Sequence, residues 1–317
     1  MIKQALGAAA LCIAAAYAQA GNPIVTDIFT ADPAALVDKG RVYLYVGHDE
    51  APADGKDYLM NEWRVYSSCD MQRWTDHGSP LQYSTFKWAG RDAWAGDIVK
   101  RDGKFFFYAT VDHKTVPGKA IGVAVSNSPT GPFTDARGTA LITNDMTRQS
   151  PIMWDDIDPA VFIDDDGQAW IYWGNTVLKY AKLKRSMTEL DGPIMSHAVK
   201  DFTEAPFVHK RGKTYYLTYS RFFPEETVYA TSKSPAGPWD FQGVILNKNT
   251  GTKTIHQAIV DFNGKSYIFY HNAKRKGGGE YRRSVAVEEL SYDRRGRIGR
   301  IAQTEAGPSA NPAPGCK

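Results

Sequence analysis

Between residues 32 and 270 the chain repeats one pattern: a short apolar run, a glycine, then an aromatic-rich apolar run. Asp32 to Val37 leads to Gly40 and Val42 to Tyr45. Ala95 to Val99 leads to Gly103 and Phe105 to Tyr108, and Asp158 to Ile163 leads to Gly167 and Trp170 to Trp173. Glu204 to Val208 leads to Gly212 and Tyr215 to Thr218, and His256 to Val260 leads to Gly264 and Tyr267 to Tyr270. β-forming runs either side of a glycine set among Asp, Lys and Arg read as hairpins. The five glycines lie 63, 64, 45 and 52 residues apart.

A second pattern follows most copies. Val65 to Trp74, Val123 to Phe133 and Tyr229 to Trp239 each run strand, turn, aromatic anchor, with variants at Leu178 to Pro193 and Val285 to Ile298. Each unit then carries about four strands, the content of a propeller blade. Length alone would equally suit seven blades of roughly 42 residues, so the repeat count decides, and it gives five. The expected fold class is all-β: a five-bladed β-propeller of four-stranded antiparallel blades around a central channel, spanning residues 21–302. A two-sheet sandwich also offers many short strands, but it gives no reason for one hairpin to recur five times.

Composition agrees and narrows the partners. The 317 residues are 43% hydrophobic and 23% charged, which excludes a mostly disordered chain. Thirty-eight Lys and Arg against 35 Asp and Glu are evenly interspersed, so nothing points to nucleic acid or an anionic membrane surface. Residues 1–20 begin Met1-Ile2-Lys3, continue through apolar Ala5 to Ala16 and end Ala18-Gln19-Ala20, the form of a cleaved signal peptide. The apolar run is too short for the roughly 20 residues of a membrane span. Leu11 before Cys12 speaks against lipidation. Export to the periplasm or the extracellular space is therefore expected, with no membrane attachment once the leader is removed. It would make a disulfide permissible between Cys69 and Cys316. The Pro/Gly/Ala-rich end, residues 303–317, reads as a flexible tail with nothing to pack against, so no bridge is expected.

Counting back eight or nine residues from each turn glycine gives Asp32, Ala95, Asp158, Glu204 and His256. In a propeller these positions are equivalent and open the strands nearest the axis, so three carboxylates and a histidine converge on one mouth of the channel. Any single strand-end acid is more simply a solvated surface group; clustered like charges cost free energy and point to function. Such a cluster suits glycoside hydrolysis, where one carboxylic acid protonates the leaving oxygen and another carboxylate activates water or attacks the sugar. A third carboxylate near the acid raises its pKa toward working pH. Pro33, Pro159 and Pro206 are expected to stiffen the starts of these strands.

Phe29 to Ala34, Asp156 to Phe162 and Phe202 to Phe207, in this order, resemble the three acidic motifs of glycoside hydrolase family 43. The resemblance extends to Val42 to Asp49, Tyr172 to Asn175 and Arg283 to Val287. It implies a five-bladed propeller of inverting enzymes, with Asp32 as general base, Asp158 as pKa modulator and orienter, and Glu204 as general acid. It also implies that Arg283 contacts the sugar and that His256 faces the channel and helps hold a calcium or other ion. A lone imidazole suits such an ion poorly, and His256 serves equally well as a hydrogen-bond donor closing the channel. No cofactor is required for the chemistry. Trp88, Trp94 and Trp173 are candidate platforms for a sugar face, Trp94 foremost, although most propeller tryptophans pack between blades. Asp97, two residues deeper, either assists or satisfies a backbone turn. Where the family usually reads Trp-Ala-Pro, this chain has Gly96, which predicts a looser strand start.

The implied activity is that of an α-L-arabinofuranosidase acting on arabinoxylan or arabinan of the plant cell wall. β-Xylosidase or bifunctional action is the nearest alternative, then endo-arabinanase. A sugar-binding propeller lectin would need the aromatics but no acid pair. The loops Ala51 to Glu62 and Tyr83 to Arg91 are expected to decide between pocket and groove.

Overall fold

A computed structural model describes residues 21–147, 152–249 and 251–316, and the expected leader lies outside them. Five antiparallel sheets follow one another along the chain. The first holds Phe29–Asp38, Arg41–Asp49, Glu62–Ser68 and Thr75–Asp76, with Leu81–Gln82 beside the third strand. The second is built on Gly96–Arg101, Lys104–His113, Lys119–Ser126 and Thr134–Asp135, with short additions at Ala89–Arg91 and Ile142–Thr143. The third holds Ala160–Ile163, Ala169–Trp173, Leu178–Leu183 and Met195–His197, and the fourth Phe202–Arg211, Thr214–Arg221, Glu226–Ser232 and Asp240–Leu246. The fifth holds Gln257–Phe262, Lys265–Asn272 and Ser284–Leu290.

The first strands close into a ring, each lying against the first strand of the next sheet and the fifth against the first. This is the expected five-bladed propeller, with one departure. The last blade has three strands of its own, and its outer lane is taken by the N-terminal segment. Ile24 N donates to Val285 O at 2.9 Å, and the Asn22 side chain both donates to Val287 O and accepts from Val287 N. Joining the two chain ends in one blade satisfies an edge that would otherwise be open.

The core lies between blades. Tyr45, Trp63, Phe107 and Phe133 fill the space between the first and second, and Trp74, Phe269 and Val287 that between the first and fifth. Truncating a ring such as Phe107 to alanine carries the usual cost of ~3–5 kcal/mol for a core aromatic. The repeated strand–turn–anchor segments share their chemistry. Ser68, Ser126 and Ser232 each accept from the backbone N–H two residues on, and Trp74, Phe133 and Trp239 then tuck back into the core. Asp164, at the hairpin turn of the third blade, accepts from Lys210 and Tyr215 of the fourth at 2.6 Å each, so this acidic run is a turn that joins blades.

The C-terminal segment corrects the sequence reading. Cys69 and Cys316 form a disulfide across 247 residues. Around it, Asn311 N and Ala313 N donate to the carbonyls of Asp70 and Cys69, and Thr304 bonds to Glu288. The tail has a partner that its composition hides: the end of the third strand in the first blade.

Candidate active site

Asp32, Ala95, Asp158, Glu204 and His256 all line one cavity of about 440 Å³, so the five strand-start positions converge as the repeat requires. They are not all equivalent. Asp32, Asp158 and Ala205 each precede a proline and each adopt a left-handed backbone, with φ of 51°, 58° and 55°. The strand starts that the prolines are expected to stiffen are thus built on left-handed residues. The register of the first strand is interrupted between Ala31 and Ala34, and that of the fourth blade between Glu204 and Phe207. These bulges align Asp32 with Ala205, and Glu204 stands one residue earlier. Its side chain, one methylene longer than aspartate, reaches the same cavity.

A left-handed conformation is unfavourable for a residue with a Cβ and persists where neighbours hold it. Here each strained N–H is bound by a side chain of another blade. Asp32 N donates to His271 Nδ1 at 3.2 Å, Asp158 N to Thr110 Oγ1 at 3.1 Å, and Ala205 N to Asp158 Oδ2 at 2.9 Å. Asp158 thus ties the third blade to the strand that carries Glu204.

The two outer carboxyls have opposite surroundings. Burial alone would raise the Asp32 pKa, but the Arg283 guanidinium, with Nη1 at 3.0 Å, outweighs it and holds the carboxylate well below its ordinary range. Glu204 has no guanidinium beside it, and the His256 charge that lowers its pKa is outweighed. Burial first, and the Asp158 charge second, push it up to about 8 against the 2.7 Å hydrogen bond from Asn175 Nδ2. At neutral pH one acid is ionised and the other keeps its proton. Burial lowers and Asp158, 3.7 Å away, raises the His256 pKa, and the net shift is upward.

Arg283 lines the cavity, but its guanidinium is largely committed to protein. Nε and Nη2 bind Asp49 at 2.9 and 2.8 Å, and Nη1 binds Asp32. Trp94 stands in the cavity wall with Lys119 Nζ 3.4 Å from its ring centroid. Trp173 is not a platform: it is fully buried and donates to Asp156 Oδ1 at 2.7 Å. Trp88 stacks on His113 and donates to Asp135. Asp97 satisfies backbone, accepting from Val161 N at 2.7 Å across two inner strands, and burial raises it to about 6. Gly96 does not loosen its strand: a Cβ there would sit 2.5 Å from Tyr108 O and 2.7 Å from the Phe107 ring.

The donors around His256 do not fit a cation site. Among the described residues no three His, Cys, Asp or Glu side chains gather as a metal cage, and His256 Nδ1 is turned to Asp158.

The sequence reading missed Trp154, Phe223 and Thr254 in the cavity wall and buried His271 and Glu225 behind it; Thr203, Asp49 and Tyr58 lay in segments it singled out without assigning them a role. The rim residues have no counterpart in the other repeats, so repetition gives no signal for them. Asn175 lay in the Tyr172 to Asn175 segment already singled out. Tyr58, Trp94 and Trp154 also border an adjoining cleft of about 340 Å³ that includes Arg91, Asp92 and Lys119.

The sequence profile described as Glycosyl hydrolases family 43 matches residues 20–298. A xylosidase/arabinosidase of Bacteroides ovatus is 32% identical over 87% of this chain and 95% of its own length. An arabinoxylan arabinofuranohydrolase of Bacillus subtilis is 32% identical over 90% of this chain and 65% of its own. A family 43 β-xylosidase/α-arabinofuranosidase from a compost microbial metagenome, solved with xylotriose, superposes with a TM-score of 0.81 at 32% identity, covering 90% of this chain and 98% of that one.

Proposed function

The chain belongs to family 43 of the glycosyl hydrolases, and on that footing we propose that it releases terminal α-L-arabinofuranose from arabinoxylan or arabinan with inversion at the anomeric carbon. The observation that carries the reading is the pair of opposed carboxyls in one cavity, Asp32 held ionised and Glu204 held protonated. Asp32 takes a proton from water as that water attacks the anomeric carbon, and Glu204 gives its proton to the departing oxygen. Asp158 raises the acid by its charge and orients it through Ala205 N. Arg283 keeps the base anionic and His271 fixes its backbone N–H, so little reorganisation is needed at the moment of reaction.

Trp154 and Phe223, half-exposed and mostly exposed at 49% and 61%, offer apolar faces to a sugar at the mouth. The adjoining cleft beyond Trp94 gives the rest of the polysaccharide a place to lie, which suits removal of a side chain from a polymer. β-Xylosidase action is the second reading, favoured by the relative solved with xylotriose. Initial rates of the purified protein on 4-nitrophenyl α-L-arabinofuranoside and β-D-xyloside, then on arabinoxylan and arabinan, separate the two. Proton NMR of the first-formed sugar tests inversion. Hydrolysis of a substrate with a poor leaving group that survives Glu204→Gln would reject the acid, and a wild type that binds but cleaves none of these substrates would revive a binding protein. The reading needs no cofactor, so prolonged chelation is expected to leave the rate unchanged. Export is part of the proposal and is tested by fractionating cells that express the full chain.

A further inference from the structure

Glu225 is 1% exposed and lies in the turn between Thr214–Arg221 and Glu226–Ser232 of the fourth blade. Its Oε2 accepts from Ile255 N at 2.7 Å and its own N–H donates to Lys253 O at 2.8 Å, while its buried Oε1 meets no N–H or O–H donor and its carboxyl lies within hydrogen-bonding reach of the Glu204 carboxyl. Ile255 is clasped from both ends: Glu225 holds its N–H, and Ser220 Oγ donates to its carbonyl. Ser220 is the cross-strand partner of Glu204. This clasp sets Glu225 behind Glu204, outside the cavity lining.

The groups that bear on Glu225 are acidic. Glu204 and Asp158 both act on it, and with burial they raise its pKa well above the ordinary value, opposed by the Ile255 N–H. The Lys253 ammonium lies over the Phe223 ring, and Glu280 spends its oxygens on Lys253 N and Tyr58 OH. A buried carboxyl that faces another carboxyl with no cation beside it avoids the cost of an unpaired charge by keeping a proton.

We propose that Glu225 is a positioning residue for the general acid, a second buried carboxyl that shares one proton with Glu204. The exchange conserves atoms and charge: Glu204 carboxylate plus Glu225 acid becomes Glu204 acid plus Glu225 carboxylate, one proton crossing and none lost to solvent. The two groups titrate as a pair. After the pair has lost its first proton, the remaining one still spends part of its time on Glu204, so the acid keeps working to higher pH than a lone glutamate would. This inference rests on the assignment of Glu204 as the acid.

The test compares kcat/KM against pH for the wild type and Glu225→Gln, using phenyl α-L-arabinofuranoside, or phenyl β-D-xyloside if that is the better substrate. Gln keeps the acceptor for Ile255 N but cannot hold the shared proton. The expected result is a basic limb moved to lower pH by about one unit, reduced to a single ionisation, with activity on the acidic side kept within about threefold. A basic limb at its wild-type position overturns the proposal. Side-chain carboxyl carbon NMR of Glu204→Gln gives a second reading that needs no activity and no folded Glu225→Gln. The Glu225 signal should titrate at least about one unit lower than in the wild type, and an unmoved signal also overturns it. Should Glu204→Gln hydrolyse the phenyl glycoside normally, the assignment of the acid fails instead.

Discussion

Asp32 and Glu204 border the same cavity and are both withdrawn from water, yet they are driven to opposite protonation states. On the side of the first and fifth blades, Arg283 and His271 crowd Asp32, and Asp49 in turn braces Arg283. On the side of the fourth blade, the Glu204 carboxyl is bonded by the Asn175 amide, while Asp158 and the buried Glu225 add like charge or a neutral acid. Burial is thus not what sets a carboxyl's role. The charge of its hydrogen-bond partners is, and the cavity separates a base from an acid by giving one the Arg283 guanidinium and the other a neutral amide and a neighbouring carboxylate.

The contrast can be broken at either end. Glu204→Gln removes the transferable proton and should lower kcat by ~10²–10⁴-fold on a substrate with a poor leaving group, measured as initial rates on the phenyl glycoside. The same change should stabilise the fold at alkaline pH. A native carboxyl near 8 keeps a proton that the unfolded chain gives up at the ordinary glutamate range, so stability falls as pH rises between the two. Urea denaturation of both proteins at pH 5 and pH 8 should show the loss in the wild type and a smaller one in the variant.

Arg283→Met attacks the other side. It leaves Asp49 and Asp32 buried without their cation and should cost about 3–5 kcal/mol, read as a lower urea midpoint. In whatever fraction remains folded, the acidic limb of the pH profile should move upward, because the base then ionises at higher pH. Asp158→Asn removes the charge that supports the proton on Glu204 and keeps an acceptor for Ala205 N. Its basic limb should move down on the order of one unit, and an unmoved limb would leave burial as the whole cause. Asn175→Ala is the smallest change. Loss of a hydrogen bond that favours the anion should push the basic limb up by about a few tenths of a unit.

Much of this was legible in the chain. A hairpin that recurs around five glycines requires five blades, because each unit exposes an apolar face that only a neighbour can cover. The strand-start positions then had to meet at the axis, and Asp32, Asp158 and Glu204 did. The repeat did not reveal that Glu204 stands one residue off the register of Asp32, since a bulge before proline changes the count without changing the pattern. Trp173 was misread because a tryptophan that caps a buried Asp156 looks in sequence like one that meets a sugar. The disulfide was missed because the composition of a tail says nothing of what it lies on.

The sequence by itself determined the architecture, the common address of the three acids and the family, since those depend on periodic burial and on motifs local to one strand. The tertiary structure alone decided which acid is ionised, that Arg283 braces the base and that Glu225 stands behind the acid. Those properties come from partners as many as 251 residues apart, as Arg283 is from Asp32. Protonation depends on distance and shielding from water, and separation along the chain carries neither.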